Sequence, residues 1–186
     1  LFDMGEYAQA INIYNSIIAS NPYETQIRIA RAKCYRATGN INTAMKDYQV
    51  VLALYPNSKQ AQYGMVQLFS GKKSIDEIIK LFYPLNKKFV PNADFYNNLA
   101  SILYQKNMVK DAIYVYKKSV KIAPKAARAY IQLYKIYELE GQNANAYEII
   151  KQAYINIPKN LEIRNIYTTA NKSALSNKSS LALSYM

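Results

Sequence analysis

The sequence has no histidine and no tryptophan, and a single cysteine, Cys34. Without histidine there is no imidazole to serve as a general base or metal ligand, which excludes His-based triads and His-ligated metal sites. One thiol cannot build an intramolecular disulfide framework. Carboxylates are few, 12 against 24 lysines and arginines, for a formal charge of +12, and they are scattered. The adjacent pair Asp76-Glu77 opens a helical pattern, where the helix dipole accounts for it. Glycine and proline are also scarce, at 5 and 6. Gly64 and Gly71 form no phosphate-binding loop, and little room is left for long connections. No apolar run approaches a membrane span. These gaps predict a chain that is not an enzyme and binds no cofactor or metal. The chain opens at Leu1 in the middle of a helical unit, which reads as a fragment or processed product. The missing secretory signal therefore assigns no compartment, with the cytoplasm as the default expectation.

What is present is apolar and tyrosine-rich: 51% hydrophobic residues, with 19 tyrosines. The stretch Thr25–Ser58 sets the pattern. Ile27, Ala30, Cys34 and Tyr35 recur at helical spacings, Gly39 interrupts, and Ile41, Ala44, Met45, Tyr48, Val51 and Leu52 follow before Pro56. Spacings of three and four are those of an amphipathic helix. Glycine ends a helix because it accepts a left-handed backbone without steric cost. The unit is helix, tight turn, helix, proline. Cys34 lies on its apolar stripe and reads as a small buried hydrophobe.

The unit repeats. Pro22 and Pro56 are 34 residues apart, Pro124 lies twice that distance beyond Pro56, and Pro158 follows 34 later. Gly5, Gly39 and Gly141 keep the phase, and Asn107 stands where the intervening glycine belongs. Asn is the residue that best substitutes for glycine in a left-handed conformation. Ala10, Ala44, Ala112 and Ala146 share one register, and Tyr14, Tyr48 and Tyr116 another. Over residues 1–160 the pattern resembles the tetratricopeptide repeat family, whose units are 34-residue helix-turn-helix pairs. The resemblance implies an all-α, right-handed superhelical solenoid of antiparallel helix pairs. In that fold the alanines let paired helices approach, and the tyrosines fill space between repeats.

In that frame residues 1–24 are a partial first repeat, whose second helix surrounds Ala10, Tyr14 and Ile17 and lacks most of its partner. Its uncapped end predicts an apolar patch suited to self-association. Residues 25–58, 93–126 and 127–160 are standard repeats. Residues 59–92 deviate: Gly71 comes early, Ile78 replaces the small residue, and Pro84 interrupts the second helix. A short helix from about Ser74 to Phe82 is expected, then an irregular segment through Asn86-Lys87-Lys88. Tyr134 replaces the small residue found at Ala32 and Ala100, so it should push its helix pair apart or point outward. Asn160 should cap a last helix over 161–172, with a loosely held serine-rich tail at 173–186. The expectation is one solenoid over 1–172.

The resemblance also implies that the first helix of each repeat lines a concave groove. The groove candidates are Gln26, Ile29, Lys33 and Arg36, then Gln60, Tyr63, Gln67 and Ser70. In the later repeats they are Asn97, Asn98, Ser101 and Tyr104, then Arg128, Ile131, Gln132 and Lys135. This polar, mildly basic set suits a protein partner that presents an extended peptide or helix with acidic residues. The family's carboxylate clamp is only partly met, by Asn98 and Arg128, with Tyr63, Gln67 and Gln132 at its other places. The chain thus reads as a non-catalytic scaffold or adaptor. The alternative is association with nucleic acid or an anionic membrane through a basic outer face, where Lys72-Lys73, Lys87-Lys88 and Lys110, Lys117, Lys118, Lys121 and Lys125 gather.

Overall fold

A computed structural model of the chain describes residues 6–69, 73–82 and 91–183, with side chains as far as 174. The described residues form ten helices and no strand. The chain divides into two compact units, Leu1–Pro91 and Asn92–Met186. The first contains α1 (Tyr7–Ser20), α2 (Thr25–Ala37), α3 (Ile41–Leu54), α4 (Lys59–Phe69) and α5 (Ile75–Lys80). The second contains α6 (Ala93–Gln105), α7 (Val109–Ile122), α8 (Ala127–Leu139), α9 (Asn143–Asn156) and α10 (Leu161–Leu183).

Each tight turn within a helix pair carries a left-handed residue: Gly39 at φ 79°, Asn107 at φ 60° and Gly141 at φ 68°. The residue after each returns a backbone hydrogen bond to the last helical turn, Asn40 to Tyr35, Met108 to Leu103 and Gln142 to Tyr137, at 2.8–2.9 Å. This closes the orphan carbonyls of α2, α6 and α8. At the other end, Pro22, Pro56, Pro124 and Pro158 each lie two residues past a helix, where a ring without an N–H cannot extend it. The prolines also supply acceptors. Arg28 donates to the Pro22 carbonyl at 2.8 and 2.9 Å, Gln62 to that of Pro56 at 2.9 Å, and Arg164 to that of Pro158 at 3.1 Å. The same offset recurs each time, so a side chain in the first turn of the next helix fastens the link between units.

Ala10, Ala44, Ala112 and Ala146 are at most 1% exposed. Tyr48 and Tyr116 are buried, whereas Tyr14 is half-buried. The Tyr48 ring lies so close against Gly64 that a Cβ at 64 would overlap it. The phase-equivalent positions hold Ala30, Asn98 and Gln132, so this close approach is particular to Tyr48 and Gly64 and is not a rule of the repeat. Burial pushes the Tyr48 hydroxyl up to about 12. Cys34 is 1% exposed, and burial raises its thiol above the ordinary value, as fits an inert core residue.

A buried charge cluster interrupts this apolar logic. Asp47 on α3 is 3% exposed and accepts from Arg31 on α2 at 2.6 and 2.8 Å and from Arg28 at 3.4 Å. Arg31 also reaches Asn15 of α1 at 2.7 Å. The hydrogen bond to Asp47 holds the Arg31 guanidinium above its ordinary value, against the opposing cost of burial. At the matching repeat positions of the second unit, Leu99 with Val115 and Leu133 with Ile149 stand in place of Arg31 and Asp47. An ion pair has taken the place of an aliphatic contact.

In residues 59–92 the helix expected from about Ser74 to Phe82 is the shorter α5, which ends at Lys80. α5 is six residues long and is started by a capping box: Ser74 accepts from the Glu77 amide at 3.3 Å, and Glu77 accepts from the Ser74 amide at 2.9 Å. That backbone bond is the main reason the Glu77 carboxyl sits below its usual range. Gln49 of α3 donates to the Leu81 carbonyl at 2.8 Å and so ties the end of α5 down. The expected features at Gly5, Ser70, Gly71, Lys72, Pro84 and Asn86-Lys87-Lys88 lie outside the described residues.

The expected tail is corrected. Asn160 does cap α10, accepting from Ile163 at 3.0 Å, but the helix runs past 172 to Leu183. No glycine or proline follows Pro158 to stop it. Within the expected helix Thr168 and Thr169, and at the first residue of the expected tail Ser173, each donate to the carbonyl four residues earlier, at 2.8–3.2 Å.

Two outcomes follow from these contacts. Gly64→Ala gains about 1 kcal/mol of helix propensity but overpacks the Tyr48 ring at about 1–3 kcal/mol. A net loss is expected in urea unfolding, and it should shrink when Tyr48→Leu is added; an equal loss in both backgrounds would detach Gly64 from Tyr48. Asp47→Val alone strands Arg31 and should cost about 3 kcal/mol, whereas Arg31→Leu with Asp47→Val restores the aliphatic pair and should sit within about 1 kcal/mol of the parent. A double variant as unstable as the single one would show that the ion pair itself is required.

Candidate functional site

The first helices carry the expected partner-facing residues, and the structure sorts them. In the first unit α2 packs against both α3 and α4. Gln26, Lys33 and Arg36 on α2 and Gln60 on α4 are exposed, and Tyr63 and Gln67 are half-buried. In the second unit Arg128 and Lys135 on α8 are exposed, with Ser101 and Tyr104 on α6 and Gln132 on α8 half-buried. Four expected residues are corrected. Ile29 (3% exposed) and Ile131 (7%) belong to the core. Asn97 (2%) and Asn98 (7%) are buried too, and so present little surface to a partner. The reason is positional: Ile29 and Ile131 share one repeat position that turns inward, and an apolar side chain there gains by leaving water.

Arg128 and Asn98, the two matches to the clamp pattern, do come together. Arg128 donates to Asn98 Oδ1 at 3.5 Å across α6 and α8. Behind them Ser101 is hydrogen-bonded to Tyr116, whose hydroxyl is raised chiefly by burial while the Arg128 charge works the other way. Lys33 and Arg36 make no ion pair among the described residues. Neither α2 nor α4 contains a carboxylate. The two arginines of α2 that do meet an acid, Arg28 and Arg31, are directed at Asp47 and away from this face.

The basic run on α7 is partly used for packing. Lys110, Lys117, Lys121 and Lys125 are exposed, but Lys118 is half-buried, with its ammonium 4.7 Å from the Tyr114 ring centroid. Lys117 stands 5.9 Å from the Tyr137 ring of α8. Among the described residues no cluster of His, Cys, Asp and Glu is placed to hold a metal, and no helix is long and apolar enough to cross a membrane.

A further feature has no counterpart among the expected groove residues. α8, α9 and α10 border a half-open cavity of about 430 Å³, lined by Tyr134, Glu138, Asn143, Tyr147, Ala170 and Ser173 among others. Tyr134 is half-buried and hydrogen-bonded to Glu138, so it points outward into this space. The signal for it in the sequence is a break in phase. Where Ala170 stands, α2, α4, α6 and α8 have Cys34, Leu68, Ile102 and Ile136, all buried.

The comparisons with known proteins agree with this geometry. Tetratricopeptide repeat family models match residues 1–68 and 93–126, together more than half of the chain. No curated protein sequence matches. Similar solved structures include TTC0263, a thermophilic tetratricopeptide repeat protein of Thermus thermophilus, at 16% identity and TM-score 0.43, with 90% of this chain and 91% of that one covered. YrrB, described as a tetratricopeptide repeat protein with an unusual peptide-binding site, matches at 17% identity and TM-score 0.41, covering 87% and 83%. MamA matches at 22% identity and TM-score 0.41, covering 84% and 95%. With helix pairs on a 34-residue period and family models on both units, the chain belongs to the tetratricopeptide repeat family.

Proposed function

We propose that this protein is a non-catalytic interaction scaffold whose first-helix faces hold a peptide or helix of a protein partner that carries acidic side chains. The observation that carries this reading is the charge of those faces. α2 and α4 hold no carboxylate, and Lys33 and Arg36 are exposed beside Gln26, Tyr63 and Gln67. Cationic side chains steer an acidic ligand and speed its encounter. Tyrosines add rigid contact area at little entropic cost. In the second unit Arg128 and Lys135 offer the same combination beside Ser101 and Tyr104. Catalysis has no support here, since the one thiol is buried and imidazole is absent. The lysines of α7 support the polyanion alternative less well, because Lys117 and Lys118 already lie over tyrosine rings.

Fluorescence anisotropy with glutamate-rich peptides, one extended and one helical, tests the reading. Lys33→Glu with Arg36→Glu should weaken the better probe by at least about tenfold, or roughly 1.4 kcal/mol. Lys117→Glu with Lys121→Glu alters net charge equally, so the long-range field changes alike, yet affinity should stay within about twofold. All four residues are exposed, and the fold should survive. If the α7 variant loses binding and the α2 variant keeps it, the first-helix reading fails and the basic outer face takes its place.

A further inference from the structure

The cavity between α8, α9 and α10 is built by three departures from the repeat. Tyr134 stands where the other first helices have Ala32, Val66 and Ala100. Tyr147 stands where the other second helices have Met45, Ile79 and Ile113. Ala170 stands where the other first helices have Cys34, Leu68, Ile102 and Ile136, all buried. Two side chains have grown aromatic and one has shrunk, and about 430 Å³ opens between them. The cleft has room for a single guest side chain.

The lining decides what kind of guest. Its single charge is Glu138, which is exposed and makes no ion pair among the described residues. Around it are acceptors: the Tyr134 hydroxyl oxygen, the Asn143 amide oxygen and the Ser173 hydroxyl. The wall below is tyrosine ring and alanine methyl. An alkyl stem lies well along such a wall, and an ammonium with three donors suits scattered acceptors around a carboxylate. Aromatic faces favour a cation further. Lys151 already stands 6.0 Å from the Tyr147 ring centroid, so an incoming ammonium is directed to the Glu138 end of the cavity.

We infer that the cavity between α8, α9 and α10 receives a lysine side chain of a protein partner, with Glu138 as its counter-ion. This deepens the interaction reading above by adding a second contact of opposite polarity. The test uses a different probe, so each reading can fail alone.

The full chain, with ring-labelled tyrosine, is titrated by NMR with a capped glycine-serine peptide bearing one central lysine. Tyr134→Phe and Tyr147→Phe assign the two ring signals. Saturable shifts of both are expected. A norleucine peptide, which keeps the stem and loses the ammonium, should bind at least about tenfold more weakly. Glu138→Gln, at an exposed position, should weaken the lysine peptide about fivefold or more. Ala170→Ile introduces the side chain found at this position in α6 and α8, should leave the fold intact, and should abolish the shifts by filling the space. Equal binding of the two peptides would overturn the inference by making the cavity a plain apolar slot. Undiminished lysine binding by Ala170→Ile would overturn it by placing the ammonium elsewhere. In either case the glutamate-rich probes of the first-helix test keep their own result.

Discussion

Two helices can pair only as closely as the side chains between them allow, and the rest of this molecule depends on that approach. A single helix pair of this kind has too little apolar surface to fold alone, so its stability comes from the helices packed against it within its unit. Stacking demands a constant rise from pair to pair. Alanine at 10, 44, 112 and 146 keeps the spacing narrow. The left-handed residues at 39, 107 and 141 keep the reversal short. The bond from a first-turn side chain to the preceding proline carbonyl, seen at Arg28, Gln62 and Arg164, keeps the next helix at a fixed entry. Each device is local, and the repetition makes the fold.

That locality explains how much can be read in advance. The pairing, the period, the left-handed Asn107, the short α5 begun at Ser74 and the Asn160 cap are all legible, because each is a short-range rule about a few residues. The candidate site is less legible. Spacing separates the core stripe from everything else, but it does not tell an off-stripe residue in water from one under a neighbouring helix. For that reason spacing puts Ile29 and Ile131 outside, and they lie inside. Asn97 and Asn98 mislead through polarity, since an amide is ordinarily read as surface. The serine-rich end misleads in the opposite sense: its composition suggests a loose tail, but no glycine or proline follows Pro158 to end the helix.

The departures from the repeat carry the individuality of the chain. Arg31 and Asp47 replace an aliphatic pair with charges, and Gly64 yields its side chain to Tyr48. Gln62 is fully buried with one amide oxygen unpaired among the described residues, and Asn97 likewise. Burying such atoms works against stability. A repeat built only for packing would use none of them. They mark places where this chain is set apart from a generic array, as does the cavity beside Tyr134, Tyr147 and Ala170.

The aromatic stack on α9 and α10 has a practical consequence. Tyr154 and Tyr167 lie 4.6 Å apart at 13°, and Tyr147 lies 6.2 Å from Tyr167 at 28°. Near-parallel phenols at that range couple their electronic transitions, and a twisted array of them gives a strong signal in the aromatic band of the near ultraviolet. In most proteins indole absorption would bury that band, but this chain has no tryptophan. The seating of α10 on α9 is therefore written into the near-ultraviolet circular dichroism, so the undocking of one helix has an optical signature that needs no label.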